Sequence, residues 1–335
     1  MNITIGESDH EVDVACLGET MVQVVPVGGE SLSLAEAFHL THGGAESNVA
    51  LALARLEDKV SWVSRVGADV LGNRVLNALR AGNVDVTHVR REPTHQTGVF
   101  FKDPAPTGSI VTYYRKGSAA SMIDSSDVDI ALGIHPRVLH MSGVTPALSK
   151  SCLSATSYAV TRANQLGIKT SFDVNYRSSL WSSRQDAAKT LGAIADACDI
   201  VFVGLDEARS LWGVESPLEI RRLLSGPESL IVKDAGGFAT TFSGVYAIRV
   251  SALEVDVIEP VGAGDAFAAG WLHGHLRGFD EDVRLRLGHL MARIALSSLT
   301  DHGTTPSTVN ELETLATSPD VWDDDGARRK APATR

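Results

Sequence analysis

Strand-like and helix-like segments alternate through most of this 335-residue chain, and this alternation limits the possible folds more than any other feature. The segments Val12–Leu17 and 200–203 are short and almost entirely apolar, whereas segments between such runs, for example 150–165, have helical spacing. Strands that are apolar on both faces are typical of parallel sheets covered by helices on both sides. The sequence therefore predicts an α/β fold with three layers, in which a mostly parallel sheet lies between two layers of helices.

The individual elements follow from the same periodicity. Strands are predicted over residues 12–17, 60–64, 138–141, 168–173, 200–203 and 230–233. Helices are predicted over residues 46–56, 69–79, 150–165, 184–195, 206–211, 218–224, 263–276 and 282–299. Asp69 is expected to cap the start of its helix, and Gly82 is expected to end that helix.

Two segments, 20–27 and 97–114, break the pattern because they alternate like strands without an intervening helix. The run Pro104-Ala-Pro-Thr-Gly supplies a hairpin-like turn. We expect these segments to form a small antiparallel β lid. The predicted division is a large α/β domain of residues 1–19, 41–92 and 117–316, a β lid of residues 20–40 and 93–116, and a polar tail of residues 317–335.

Composition excludes several classes of protein. A hydrophobic content of 44% and a charged content of 21% describe an ordinary soluble globular protein. The net charge of −11 argues against nucleic-acid binding. The sequence contains no apolar stretch of about 18 residues, so we expect no membrane span. Cys16, Cys152 and Cys198 are too far apart to indicate a zinc site or a disulfide framework, so we expect buried thiols in a reducing cytoplasm.

One run indicates the reaction chemistry of this chain most specifically. It extends from Glu259 to Trp271 and reads Glu-Pro-Val-Gly-Ala-Gly-Asp-Ala-Phe-Ala-Ala-Gly-Trp. Gly262 and Gly264 flank Ala263, so the backbone can turn tightly and expose N–H groups at the start of a helix, which favours an anion. Asp265 nevertheless places a carboxylate there. The exposed N–H groups and the carboxylate are both needed in a turn that holds a phosphoryl group and takes a proton from an attacking hydroxyl. We therefore predict phosphoryl transfer.

Three polar runs follow predicted strands, where ligands bind in open α/β sheets. Arg177, at the end of Asp173-Val-Asn-Tyr-Arg, could pair with a carboxylate or phosphate, although the whole run could be structural. One carboxylate of the Asp206-Glu207 pair could hold magnesium through water, or the two acids could simply begin a helix. The run Lys233-Asp-Ala-Gly-Gly could pass under a nucleotide, or it could form a hairpin turn.

Two further runs have both a functional and a structural interpretation. In Gly43-Gly-Ala-Glu-Ser-Asn, the glycines could approach a ligand while Asn48 presents its amide, or Ser47 could cap an ordinary helix. Alternation places Tyr113 and Arg115 on one face of a strand, which suits a sugar ring with an anionic group, or an exposed edge strand. His273 and His275 lack the spacing of metal ligands, and we expect them to interact with a helix C-terminus.

Taken together, these runs resemble a known family. Residues 43–48 and 259–270 are similar to the first and second signatures of the PfkB, or ribokinase-like, carbohydrate kinases, and the resemblance covers about residues 12–305. The runs Tyr113-Tyr-Arg and 173–181 resemble those of the 2-keto-3-deoxygluconate kinases within the family. The resemblance implies a large α/β domain with a β lid, ATP as the phosphoryl donor, Mg²⁺, and a pairing of two copies through the lid.

The resemblance also implies roles for particular residues. Asp265 matches the catalytic base, and Gly262, Ala263 and Gly264 match the anion hole. The residues that match substrate-binding positions are Gly43, Gly44, Asn48, Tyr113, Arg115, Asn175, Arg177 and Asp301. The residues that match the nucleotide site are Lys233, Asp234, Gly236 and Gly237, together with Gly262 and Gly264, and Glu207 matches the magnesium position.

This chain departs from the family pattern at several positions. Glu57 stands where the first signature usually ends with glycine, and Glu259 replaces the usual aspartate. Gly204 replaces the asparagine of the Asn-x-x-Glu magnesium motif. Phe100 stands where the ketodeoxygluconate kinases often have tyrosine.

We therefore expect a kinase that phosphorylates a primary hydroxyl of 2-keto-3-deoxygluconate. This expectation depends on Arg115 and Arg177, which a neutral hexose would leave without an anionic partner. The alternatives are a related kinase for fructose, ribose or a nucleoside, or a sensor that kept the fold without catalysis. A Rossmann dehydrogenase is disfavoured, since Leu17-Gly-Glu-Thr stands where Gly-x-Gly-x-x-Gly would follow the first strand.

Overall fold

The computed structural model describes residues 11–105, 108–235, 237–244, 246–258, 261–297, 308–318 and 322. Its strands are β1 (Val12–Leu17), β2 (Met21–Pro26), β3 (Phe38–Gly43), β4 (Val60–Val63), β5 (Arg65–Gly67), β6 (Arg90–Glu92), β7 (Val99–Ala105), β8 (Gly108–Tyr114), β9 (Pro136–Ser142), β10 (Lys169–Asp173), β11 (Ile200–Gly204), β12 (Ser229–Asp234), β13 (Phe238–Ser243) and β14 (Tyr246–Ser251). Its α-helices are α1 (Ala45–Arg55), α2 (Val70–Ala81), α3 (Ser125–Gly133), α4 (Lys150–Leu166), α5 (Arg184–Asp196), α6 (Leu205–Trp212), α7 (Pro217–Leu223), α8 (Ala263–Leu276), α9 (Glu281–Leu296) and α10 (Val309–Thr317).

The main sheet has the order β14-β13-β12-β11-β10-β9-β1-β4 within the described residues. The neighbouring strands from β12 to β4 run parallel, whereas β13 and β14 continue the sheet as antiparallel strands. The predicted mostly parallel sheet is thus confirmed. The sequence periodicity did not predict β13 and β14, because polar residues interrupt the continuous apolar run that marks the other strands of the sheet.

Alternate residues of each central strand point into two separate cores, one on each side of the sheet. In β11, Ile200 and Phe202 pack with helices α1, α2, α8, α9 and α10, whereas Val201 and Val203 pack with α3 to α7. The strand therefore buries both of its faces, which explains its continuous apolar sequence. This arrangement is the predicted three-layer architecture.

The lid is a four-stranded sheet with the order β3-β2-β7-β8. The pairs β2–β3 and β7–β8 are antiparallel, whereas β2 and β7 run parallel. The predicted small antiparallel sheet is present, and it contains one parallel pairing, β2–β7, that the sequence did not indicate. The reason is topological, because β2 and β7 each open a separate excursion of the chain away from the large domain, and both therefore run in the same direction.

Two α-helices end in the same backbone motif with different residues at its left-handed position. After α1, Glu57 has φ 63°, and the N–H groups of Glu57 and Asp58 donate to the carbonyls of Ala54 and Leu53. After α2, Asn83 has φ 61°, and the N–H groups of Asn83 and Val84 donate to the carbonyls of Arg80 and Leu79. Gly82 caps the end of α2, as expected, with an ordinary φ of −88°, so the left-handed position is the next residue, Asn83.

Other expectations about the fold are confirmed locally. Asp69 caps α2 by accepting a hydrogen bond from the Gly72 N–H at 2.7 Å. Cys16, Cys152 and Cys198 are free and buried. In the described part of the chain, we find no helix that combines the length and the apolar character needed to cross a membrane.

We predict that Glu57→Gly stabilises the protein. A left-handed conformation costs a residue with a Cβ about 1–2 kcal/mol, and the greater freedom of glycine in the unfolded chain offsets part of that gain. We therefore expect the free energy of unfolding to rise by about 0.5–1 kcal/mol, measured as a higher urea midpoint with an unchanged slope. Asn83→Gly is the matched control, and its gain should be smaller because asparagine tolerates this conformation. A loss of stability in Glu57→Gly would contradict the prediction.

Candidate active site

A cleft of about 540 Å³ lies between the lid and the carboxyl ends of the parallel strands. This is the edge of an open α/β sheet where ligands bind. The polar residues that line it come from many separate segments of the chain, and they are Glu19, Asn48, Lys102, Tyr113, Arg115, Asp173, Asn175, Tyr176, Arg177, Glu207, Lys233 and Asp265. Gly43, Gly44, Gly204, Gly262 and Gly264 line it with backbone.

The start of α8 forms one wall of the cleft. Gly262 precedes the helix in the left-handed conformation, with φ 86° and ψ −12°, which glycine adopts without steric cost. Within the described part of the chain, no side chain caps the helix, so no cap satisfies its first N–H groups there. The tight turn and bare helix start predicted for this run are therefore present, and the turn faces the cleft through Gly262 and Gly264.

Asp265, in the first turn of α8, is held by the start of a second helix. The Asn48 side-chain amide, in α1, donates a hydrogen bond of 2.8 Å to Asp265 Oδ2. The pKa of Asp265 is raised from its ordinary value of 3.8 to about 7, mainly by burial and also by the Asp173 carboxylate. The Asn48 hydrogen bond and the charges of Arg177 and Lys233 oppose that rise. A carboxyl with a pKa near neutrality is suited to accept a proton at physiological pH.

A buried ion pair lies beside this carboxyl. Lys233 Nζ, at the end of β12, is 2.7 Å from Asp173 Oδ2, at the end of β10. Burial lowers the pKa of Lys233, but the nearby carboxylates of Asp173, Glu207 and Asp265 outweigh burial and raise it. Lys233 is therefore a fixed positive charge among three acids.

Glu207 is half-buried in the first turn of α6. Its carboxylate accepts hydrogen bonds from the backbone N–H groups of Tyr176 and Gly204, the latter at 3.1 Å. Burial raises its pKa, and the nearby Asp173 carboxylate raises it further. Asp206, by contrast, is exposed and pairs with Arg209 at 2.7 Å, as expected for an ordinary acid at a helix start.

The acids fit Mg²⁺ better than a metal that needs a full set of protein ligands. Among the described residues, no group of three or more His, Cys, Asp or Glu side chains could hold a metal ion. Mg²⁺ keeps several waters and commonly binds through one or two carboxylates plus substrate phosphates. Glu207 and the neighbouring Asp173 supply such carboxylates at the cleft.

Two residues that follow β10 present polar groups to the cleft. Asn175 has a left-handed φ of 37°, its N–H donates to Asp173 Oδ1 at 3.2 Å, and its Oδ1 is buried without a partner among the described residues. Strained backbone of this kind is concentrated at functional sites. Arg177 is exposed, lines the cleft and makes no ion pair in the described part of the chain.

Arg115 has a partner that the sequence patterns did not predict. Its guanidinium forms a buried ion pair with Glu19, which follows β1. The expectation that a neutral sugar would leave both Arg115 and Arg177 unpaired is therefore wrong for Arg115. Its Nε remains buried without a partner in the described structure, so the side chain still has a donor to offer. Glu19 escaped notice because a single acid in a turn after a strand gives no sequence signal beyond its position at a strand end.

The inner face of the lid combines aromatic rings and a lysine. The Tyr113 ring lies 5.7 Å from that of Phe100 and 5.4 Å from the Arg115 guanidinium, as the predicted alternation requires. Tyr113 also lies on an edge strand, β8, so the structural interpretation of this run holds as well. Lys102, two residues beyond Phe100, is 3% exposed and lines the cleft. Phe100 and Lys102 are two residues apart in a strand and therefore share a face, so the sequence pattern could have identified Lys102 as a residue of the cleft.

The glycine-rich run before α1 has a different geometry from the predicted serine cap. The helix begins at Ala45, and the Ser47 hydroxyl donates back to the Gly44 carbonyl at 3.1 Å, so Ser47 is not the N-cap. A Cβ at Gly44 would lie 2.1 Å from the Glu19 carbonyl oxygen, so the chain itself requires this glycine. Buried Glu46 accepts bonds from Ser142 and Thr145 and so fixes α1 to the end of β9.

Several predicted site residues do not line the cleft. Asp234 and Gly237 flank the hairpin turn between β12 and β13, the structural alternative for that run, and only Lys233 of it faces the cleft among the described residues. Ala263 does not line the cleft either. Gly236, Glu259 and Asp301 lie outside the described residues. His273 is buried between Asp58 and Glu313, at 2.8 and 3.1 Å, which the expected role at a helix C-terminus did not anticipate.

An α/β sheet, a β lid and an acidic side chain at a bare helix start together define a phosphotransferase of the sugar-kinase type. The model of the pfkB family carbohydrate kinases matches residues 12–308. The chain therefore belongs to the PfkB family of carbohydrate kinases. The prediction of an ATP-dependent phosphotransferase that acts on an alcohol group is confirmed at this level.

Individual relatives agree on the family but differ in substrate. The chain is 32% identical to the 2-dehydro-3-deoxygluconokinase of Thermoproteus tenax, over 88% of this chain and 92% of that protein. It is 31% identical to the probable fructokinase-6 of Arabidopsis thaliana, over 80% and 71% of the two chains. A PfkB protein from Polaromonas sp. JS666 has a similar structure, with a TM-score of 0.81, 34% identity and coverage of 90% and 99%. A candidate ribokinase II from E. coli, crystallised with ATP and Mg²⁺, shares the fold at a TM-score of 0.80 and 24% identity, over 90% and 98%.

We predict that Asp265→Asn stabilises the protein at alkaline pH. Because burial raises the pKa of Asp265 to about 7, the native state holds a proton that the unfolded chain releases near pH 4. The contribution of Asp265 to stability therefore falls as the pH rises from about 4 to about 7. The gain in unfolding free energy of Asp265→Asn should be largest at pH 8 and shrink toward pH 4.5, measured by urea unfolding.

The exposed acid Glu36 provides a control, since Glu36→Gln should show no comparable pH-dependent gain. A stability difference between wild type and Asp265→Asn that is the same at every pH would contradict the prediction.

Proposed function

We propose that this protein is a 2-dehydro-3-deoxygluconokinase that transfers the γ-phosphoryl group of ATP to a primary hydroxyl of 2-keto-3-deoxygluconate. One observation carries the proposal: Asp265 lies at the uncapped start of α8, inside the cleft, with Asn48 fixing its carboxyl. The relative from Thermoproteus tenax bears this name, and the E. coli neighbour holds ATP and Mg²⁺. Both support the proposal.

Asp265 acts as the general base. As the sugar hydroxyl oxygen forms a bond to the γ-phosphorus, the bond from that phosphorus to the β,γ-bridging oxygen breaks, and ADP leaves with the electron pair. The hydroxyl proton passes to the Asp265 carboxylate. The N–H groups at the start of α8 stabilise the charge on the migrating phosphoryl group.

Glu207, together with Asp173, would hold Mg²⁺ through water at the edge of the same cleft. When bound, Mg²⁺ neutralises charge on the phosphates. The protein then keeps water out of the reaction by covering the sugar with the lid residues Phe100 and Tyr113.

The acid group of the sugar is recognised by two different arginines. Arg177 is exposed in the cleft without an ion pair among the described residues, so a substrate carboxylate gives it a charged partner. Arg115 is already neutralised by Glu19 and contributes its unpartnered Nε as a donor. The buried Oδ1 of Asn175 can accept a bond from a sugar hydroxyl. Together these groups carry one net positive charge, that of Arg177, which favours an acid sugar over a neutral one.

The second candidate is a fructokinase or another PfkB-type sugar kinase. The ion pair between Glu19 and Arg115 favours it, since that pair removes one of the two charges expected to select an acid sugar. The Arabidopsis thaliana relative named as a probable fructokinase supports it as well.

Pairing of two copies of the chain through the lid stays a prediction.

We expect Asp265→Asn to lose turnover while retaining the binding of nucleotide and sugar. Wild-type kcat/KM should fall as the pH drops through about 7, because protonation of Asp265 removes the base. Sugar-dependent ADP release measures turnover, and calorimetry with a non-hydrolysable ATP analogue measures binding. Near-normal turnover in Asp265→Asn would remove the base assignment. No ADP release by wild type with any sugar would instead favour a sensor that lacks catalysis.

We expect 2-keto-3-deoxygluconate to be phosphorylated far better than fructose or ribose, and Arg177→Gln to reduce that preference. Hydrogen bonds to a charged group contribute about 1.5–3 kcal/mol, so kcat/KM for the acid sugar should fall about 10- to 100-fold. The neutral sugars, which offer no carboxylate, should change little.

The control is Arg184→Gln, which removes an exposed arginine at the start of α5, outside the cleft. Equal loss for acid and neutral sugars would mean that Arg177 serves the nucleotide phosphates. Equal kcat/KM of the wild type for all three sugars would overturn the substrate choice and leave the kinase assignment intact.

A further inference from the structure

Lys233 lies beside the position where this chain differs from the magnesium motif of its family. In the main sheet, Lys233 of β12 is the register partner of Gly204 of β11, the position that carries glycine in place of asparagine. The Lys233 side chain is 19% exposed and lines the cleft. A positive charge therefore lies next to the position that lacks the amide.

The Lys233 ammonium is directed at the start of α8 rather than at the hairpin turn that follows it. A Cβ built on Gly264 would lie 3.4 Å from Lys233 Nζ, so the ammonium is next to the turn whose N–H groups would receive a phosphoryl group. Its ion pair with Asp173 Oδ2, at 2.7 Å, fixes it there. Asp234 and Gly237, which share its sequence run, lie outside the residues that line the cleft.

The Lys233 ammonium interacts with three carboxylates, so it is not dedicated to one of them. Asp173, Glu207 and Asp265 all act on Lys233 from three different elements, β10, α6 and α8. A lysine needed only to neutralise Asp173 could lie anywhere beside that carboxylate. This one lies between Asp173 and the bare helix start, where charge develops in a phosphoryl transfer.

We propose that Lys233 is a catalytic residue, whose ammonium contacts the phosphoryl group during transfer, rather than a residue of the loop that holds the nucleotide. The inference rests on the proposed kinase reaction. As the bond from the γ-phosphorus to the β,γ-bridging oxygen breaks and the bond to the sugar oxygen forms, Lys233 donates a hydrogen bond to a non-bridging oxygen of the migrating group. The proton of the sugar hydroxyl goes to Asp265, and Lys233 neither gains nor loses a proton.

The experiment compares Lys233→Met with wild type in single-turnover phosphorylation of 2-keto-3-deoxygluconate at saturating ATP and Mg²⁺. Loss of one such donor typically slows the chemical step about 100- to 1000-fold. We expect this loss, with less than about threefold change in the KM for the sugar and in the affinity for a non-hydrolysable ATP analogue. Lys233→Arg, which keeps the charge on a larger group, should retain part of the rate.

Two further variants separate catalysis from charge balance. Lys169→Met removes a lysine that pairs with Asp199 and Glu228 at the opposite end of β10, and it should leave the rate unchanged. The double variant Lys233→Met/Asp173→Asn removes both charges of the buried pair. Asp173→Asn alone gives the reference rate, because Asp173 also takes part in holding Mg²⁺. If Lys233 only balances Asp173, the double variant should be as fast as Asp173→Asn, and that equality would overturn the proposal. We expect the double variant to remain about 100-fold or more slower than Asp173→Asn.

Other outcomes are equally decisive. A Lys233→Met variant that keeps its maximal rate and loses affinity for the ATP analogue would return Lys233 to the nucleotide loop. Bound analogue in the variant shows that it is folded. Absence of sugar-dependent ADP release from the wild type would overturn the proposed function itself, whereas normal wild-type turnover with an unaffected Lys233→Met overturns only this role.

Discussion

Lys233 and the three acids around it form the electrostatic centre of this protein. Asp173, Glu207 and Asp265 come from three different elements. Burial and the Asp173 carboxylate raise the pKa of both Glu207 and Asp265, and the charge of Lys233 opposes that rise in both. Burying charges is favourable only when they are paired and hydrogen-bonded. The parallel strands bring the groups together, since β10, β11 and β12 all end at the same edge of the sheet. The sheet topology and the chemistry of the cleft therefore depend on each other.

The elements that were predicted well are those whose sequence signal is local. Helix α8 begins at Ala263 and ends at Leu276, as expected, because Gly262 and Gly264 mark its start and an apolar run follows. The central strands were recognised because both of their faces are buried. Strands β13 and β14 were missed, since their polar residues interrupt the apolar pattern, although β13 is buried between β12 and β14. The continuity of the apolar run, rather than burial alone, decided whether a strand could be recognised from the sequence.

The sequence patterns indicated many of the residues that line the cleft, but not the contacts between them. The sequence places Asn48 and Asp265 at two helix starts, yet their hydrogen bond joins residues more than two hundred positions apart. The pair of Glu19 and Arg115 was missed for the same reason. The consequence is large for specificity, since an arginine counted as free turned out to be neutralised. Sequence patterns identify charged groups, but only the fold shows which charges already balance one another.

The ion pair between Glu19 and Arg115 also has a mechanical meaning. Glu19 stands where the chain first enters the lid, and Arg115 stands where it last leaves, so one buried contact ties both connections. Separating such a pair leaves buried charges uncompensated and costs about 3–5 kcal/mol. Swinging the lid about this contact avoids that cost. The Glu19–Arg115 contact therefore holds the two connections together at the base of the lid, and any displacement of the lid that keeps this pair intact is smallest here and largest at the strand ends farthest from it.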